Sequence, residues 1–180
     1  MHDFADAFPA SLRPEAHPVA EAFRQTNSDY GVYTFCVEIA SQAVHIPQRI
    51  HVTTLETTGW SPIQRDIAHC LLTRSTDGFV RQAALKSVLA INTPWAIPFV
   101  IALVGEYVVE ILEDIHTGLP HLDRTLLTDF FSANPNVLPL TRARVASYWN
   151  CYYRGRNPRR TYVGFRLIRE LDALVSTAAA

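Results

Sequence analysis

The stretch from Tyr148 to Arg166, YWNCYYRGRNPRRTYVGFR, carries six aromatic residues and five arginines in nineteen positions, with no acidic side chain. Guanidinium groups hold carboxylates and phosphates in bidentate geometry, and aromatic rings stack on bases. Arg154, Arg156, Arg159 and Arg160 fall in the loop-like RGRNPRR, and Arg142 and Arg144 precede them on a predicted helix. Val145, Tyr148, Trp149 and Tyr152 recur at i, i+3, i+4, i+7, which predicts a core-facing stripe and leaves the arginines as the exposed part. Two chemistries then compete for the loop. It can pair with an acidic counter-face of Glu106, Glu110 and Glu113, within the chain or across a dimer, or it can hold the phosphates of a nucleic acid.

Other constellations are incomplete. Glu113-x-x-His116 and Asp66-x-x-His69 have the i, i+3 spacing of di-metal carboxylate bundles, but the further carboxylates from two more helices are not evident. A polar helix face is the expectation, with no metal and no cofactor. Cys36, Cys70 and Cys151 are far apart and lack zinc spacing. Cys36 and Cys70 read as buried thiols on apolar helical faces. No G-x-S-x-G elbow, P-loop or G-x-G-x-x-G is present, so no catalytic residue is nominated. An enzyme would need residues dispersed along the chain.

Composition narrows the classes further. The 180 residues are 48% hydrophobic and 18% charged, with a formal net charge of −1, as expected of a globular domain with a sizeable core. The charge is uneven. Met1 to Pro139 holds 8 basic and 15 acidic residues, whereas Leu140 to Ala180 holds 8 arginines against 2 acidic residues. The N-terminal sequence has no basic region followed by an apolar run, and the most apolar stretch, Trp95 to Val104, is about half the length needed to span a bilayer. A cytoplasmic protein without membrane association is expected.

Helix punctuation positions these residues. Ser61-Pro62 with Gln64 predicts a capping box, Asp77 a second N-cap, and Thr93-Pro94 a third start running to about His116, with Gly118 as C-cap. Gly105-Glu106 is the alternative break within that third segment. Further helices are expected over about Pro14 to Gln25, Val32 to Val44, Leu122 to Ala133, Pro139 to Tyr153 and Thr161 to Ser176. HIPQRIHVTTLETTGW reads as a short strand or extended loop. Residues 1–12 and 177–180 are expected to be flexible, and 140–176 form the Arg/aromatic-rich C-terminal helices of a single domain, 1–180.

Within this framework Pro62 to Ile91 resembles one HEAT-type helical repeat. DGFVRQAAL, Asp77 to Leu85, is similar to that family's D-x-x-V-R-x-x-A-L signature: Asp77 caps, Val80, Ala84 and Leu85 face the stack, and Arg81 reaches a neighbouring turn. PWAIPFVIALVGEYVVEILEDI and LDRTLLTDFFSANPNVLPLTRARVASYWNCYY resemble further pairs without the motif. The resemblance implies an all-α fold of short stacked helix pairs, an α-solenoid, with an irregular multi-helix bundle as the alternative. It also implies a non-catalytic protein-binding or scaffolding module, possible self-association included. The alternative function is nucleic-acid binding through residues 154–160, and the third is the dispersed-site enzyme.

Overall fold

The computed structural model describes residues 3–26 and 33–178. In chain order the elements are α1 (Arg13–Thr26), β1 (Thr34–Ile39), β2 (Gln42–Pro47), α2 (Pro62–Leu72), α3 (Gly78–Val88) and α4 (Ile97–Val104), followed by α5 (Val109–Gly118), α6 (Arg124–Ala133), α7 (Val137–Tyr148) and α8 (Val163–Ala178). The chain is therefore mostly helical. Ser61 Oγ accepts from the Gln64 N–H, and Gln64 Oε1 accepts from the Ser61 N–H, so α2 opens on the expected capping box. Asp77 accepts from the N–H groups of Phe79 and Val80 at the start of α3, and Asp123 caps α6 through Thr125.

An all-α reading needs correction at the hairpin. The segment expected as a helix over Val32 to Val44 (Val32 itself lies outside the described residues) is β1 and the start of β2, paired antiparallel with Ile39 opposite Gln42 and Thr34 opposite Pro47. Val37, Ile39, Val44 and Ile46 turn inward, a period-two burial that β-branched side chains favour. The two-residue turn is made by Ala40 and Ser41, at φ 50° and 59°. Such a turn normally announces itself with Asn-Gly or Asp-Gly; here tertiary packing holds two ordinary residues in the left-handed region.

The apolar run from Pro94 is two helices, not one. α4 ends at Gly105, and Glu106, Tyr107 and Val108 turn the chain into α5. α4 is buried over Ile97 to Ile101 and again at Leu103 and Val104, and it packs against α3, α5, α6 and α7. The core is continuous from Phe4 to Leu171. Phe4 and Phe8, in the N-terminal stretch expected to be flexible, belong to it: Phe4 packs on Phe23 and Phe8 stacks on Phe99 at 5.5 Å between ring centroids. At the other end, residues 179–180 lie outside the described residues. α8 closes onto α7 where Gly164 allows it, since a Cβ there would stand 2.9 Å from Val145 Cγ1.

The predicted aromatic stripe is split. Beyond Tyr148 the helix widens into a π-helical turn, Trp149–Tyr153, in which the Arg154 N–H donates to the carbonyl of Trp149 at 2.8 Å. One extra residue per turn rotates everything that follows. Val145 is buried and Trp149 packs edge-on against Phe165, as a core stripe requires. Tyr148 and Tyr152 instead face outward with Tyr107, the three rings 5.8 to 6.2 Å apart.

Candidate anion-binding site

The charges that meet in space differ from those grouped by the sequence. Glu106, at the α4–α5 break, is 3% exposed. Its carboxylate is met by Arg49 from the segment after β2, by Arg74 from the turn after α2 (4.0 Å), and by Arg81 from α3 (3.7 Å). Local backbone geometry brings these arginines together. Ile50 bridges to Ser75, with the Ile50 N–H donating to Arg74 O and the Thr76 N–H donating to Ile50 O, so the segment after β2 is laced to the α2–α3 turn. Arg74 Nε donates to Pro47 O (3.0 Å) and its Nη2 to Gln48 O (2.7 Å), while Arg81 Nη1 donates to Ser75 O and Thr76 O. Arg81 therefore closes the turn of its own helix pair and also reaches Glu106. Arg144, on α7, lays its aliphatic stem against Gly105, where a Cβ would stand 3.1 Å from its Cδ.

Three guanidinium groups thus meet one carboxylate, a local charge of +2, and the exposed Arg144 lines the same cleft. Arg74 and Arg81 are 4% and 1% exposed, and their ion pairs with Glu106 at 4.0 and 3.7 Å are too long for hydrogen bonds, which leaves Arg74 Nη1, Arg81 Nε, Arg81 Nη2 and Glu106 Oε2 without hydrogen-bond partners among the described residues. Buried donors are normally satisfied, so this is an unusual concentration of unmet hydrogen-bonding capacity. Burial, and then the guanidinium of Arg49, push the Arg74 pKa from 12.5 down to about 9; Arg81 and Arg144 add to the push and Glu106 opposes it. A cleft of about 280 Å³ opens over the cluster, lined by Gln48, Arg49, Arg74, Glu106, Arg144 and Tyr148 among others. Phe35 forms one side and lies under the Arg74 guanidinium, 5.9 Å from ring centroid to Cζ. Such a surface can clamp a carboxylate, phosphate or sulfate group bidentately.

Of the arginines nominated from sequence, only Arg144 is at this cleft. Arg142 pairs with Asp172 at 2.5 Å. Arg154 donates to Asn150, Arg159 lies 4.6 Å from the centroid of Phe165, and all four loop arginines are exposed. Among the described residues, none of Arg154, Arg156, Arg159 or Arg160 pairs with Glu106, Glu110 or Glu113, which also do not share a face. Glu106 is buried in the cluster, whereas Glu110 and Glu113 are exposed on α5. His116 meets Glu170 at 3.0 Å, and no metal-competent group of three or more His, Cys, Asp or Glu occurs among the described residues. Cys36, expected to be buried, is exposed on β1, as is Cys151 on the π-helical turn; Cys70 is buried. No helix among the described residues is long and apolar enough to cross a membrane.

Sequence reasoning missed Arg49 and Arg74, which sit in irregular segments where periodicity says nothing. One signal was legible: Glu106 ends a run of ten largely apolar residues, and a carboxylate there needs a buried cationic partner. Comparison with protein-family models, with curated protein sequences and with solved structures finds no match to this chain.

Proposed function

We propose that the protein is a non-catalytic binding module whose partner presents an anionic group to the cleft of Arg49, Arg74 and Arg144. The observation that carries this reading is the excess of guanidinium charge at the cleft, where Arg49, Arg74 and Arg81 share the single buried carboxylate of Glu106 and Arg144 stands beside them. Cationic charge in excess of its one counter-charge is costly to hold in a fold, and an incoming anion would offset that cost. Glu106 fixes the arginines in place and repels part of any ligand charge, which favours a group that binds reversibly. The α2–α3 pair, with its Asp77 cap and the Arg81 brace across the turn, supports a stacked-helix scaffold of the helical-repeat type for this role. Three unpaired cysteine thiols, Cys36, Cys70 and Cys151, fit a reducing, cytoplasmic setting.

The reading is tested by thermal melts and calorimetry with inorganic pyrophosphate and with citrate at low ionic strength. Wild type should be stabilised by either anion and should release heat of binding, and Arg49→Ala and Arg144→Ala together should abolish both effects. A wild-type melting temperature unmoved by both anions refutes it.

A second reading, nucleic-acid binding through the loop from Arg154 to Arg160, is favoured by one observation. Arg156 and Arg160 are exposed without an acidic partner among the described residues. An electrophoretic shift with random DNA and RNA at two salt concentrations tests it, since phosphate contacts weaken steeply with salt.

A further inference from the structure

The arginine cleft does not end at Arg144. A second, largely apolar hollow of about 170 Å³ adjoins it, and the two share Phe35, Ala102 and Arg144. The resulting trough has α4 as its floor, β1 residues Phe35–Val37 as one wall and α7, at Val137, Leu140 and Arg144, as the other. Leu140 is 54% exposed there, an unusual position for a leucine.

The β1 wall is an open sheet edge. The hairpin has two strands, so β1 pairs with β2 on one side only. On the other side the Glu38 N–H donates to Asn134 Oδ1 and Asn134 Nδ2 donates to Glu38 O, both at 2.8 Å. The side-chain amide of Asn134 thus makes the two bonds that a neighbouring strand would make. The alternation of an antiparallel ladder directs the N–H and C=O of Cys36 the same way, two residues back and toward the arginines. No group among the described residues meets them.

We infer that the trough receives the C-terminal segment of a partner polypeptide. The segment adds as a strand to β1 at Cys36, places an apolar side chain against Leu140 and Val137, and delivers its terminal carboxylate to Arg49, Arg74 and Arg144. This rests on the anion-binding reading above and specifies its ligand. The direction is fixed by the layout: the arginines lie at the Phe35 end and Asn134 closes the Glu38 end, so the segment runs antiparallel to β1. Charge complementarity sets the end group, the open edge demands a peptide backbone, and the hollow suits one aliphatic side chain. A fatty acid would leave the Cys36 N–H and C=O unmet, and a polynucleotide would find cationic contacts at only one end of the trough.

The test uses fluorescence anisotropy with labelled hexapeptides of random sequence ending in Val, Leu or Ile, prepared as free acids and as C-terminal amides. Free acids should bind, and amidation should weaken them about tenfold or more, the loss expected when a charge-assisted contact goes. Arg144→Ala and, separately, Leu140→Asp should each weaken the best free acid by a similar factor while melting at the wild-type temperature or above. N-methylation of the peptide residue opposite Cys36 should abolish binding. No binder among the free acids, or binding indifferent to amidation and N-methylation, overturns the inference. Pyrophosphate binding without peptide binding removes the peptide but leaves the anion cleft, and failure of both probes removes the two readings together.

Discussion

Replacing Glu106 with Gln keeps the shape of the buried cluster and removes its only negative charge. Arg74 and Arg81, with side chains 5% and 1% exposed, would then stand as buried cations without a counter-charge. Removing one partner of a buried ion pair costs about 3–5 kcal/mol, because the remaining charge stays desolvated. Arg49, with 36% of its side chain exposed, can turn to solvent and should add little. Against a total stability of about 5–15 kcal/mol for a domain of this kind, the loss is large but leaves a folded population. Urea titration at neutral pH measures it, with exposed Glu110→Gln as the reference, expected within about 0.5 kcal/mol of wild type. Pyrophosphate should restore more stability to Glu106→Gln than it adds to wild type, since the emptied cluster attracts an anion more strongly. A Glu106→Gln cost under about 1 kcal/mol would refute the buried-charge account, and with it the reason for placing an anion site here.

Three further outcomes are expected. Ala40→Asn combined with Ser41→Gly should raise stability by about 1 kcal/mol in thermal or urea unfolding, since Asn tolerates the left-handed region better than Ala and Gly removes the Cβ at the second position. Ellman's reagent should label Cys36 and Cys151 rapidly in the native protein and Cys70 only on unfolding, since Cys70 is buried and burial pushes its thiol pKa well up. For His69, burial lowers the pKa below 6.5, with Asp66 opposing and Arg65 assisting the shift. The folded state therefore prefers the neutral ring and the unfolded state takes the proton first, so stability falls as pH drops below about 6.5. Urea midpoints across that range should fall less for His69→Gln than for wild type.

The sequence alone determined the features that are local. Ser61 with Gln64 and the carboxylate of Asp77 specify helix starts through contacts within three residues, and these stand where the residues place them. Of the side chains expected to face the stack, Ala84 and Leu85 are buried and Val80 partly so. Tertiary structure decided whatever depended on distant partners. Ala40 and Ser41 carry no turn signal of their own; the packing of Val37, Ile39, Val44 and Ile46 imposes the hairpin over a helix-compatible segment. A π-helical turn, invisible to a 3.6-residue period, moved Tyr152 from the expected core stripe to the surface. The charge pattern misled for the same reason. Like charges adjacent in sequence, as in RGRNPRR, repel and spread into solvent. Arg49, Arg74 and Arg81, which lie in separate segments, meet because one buried carboxylate at the end of α4 offers each of them a counter-charge that water would otherwise have to supply.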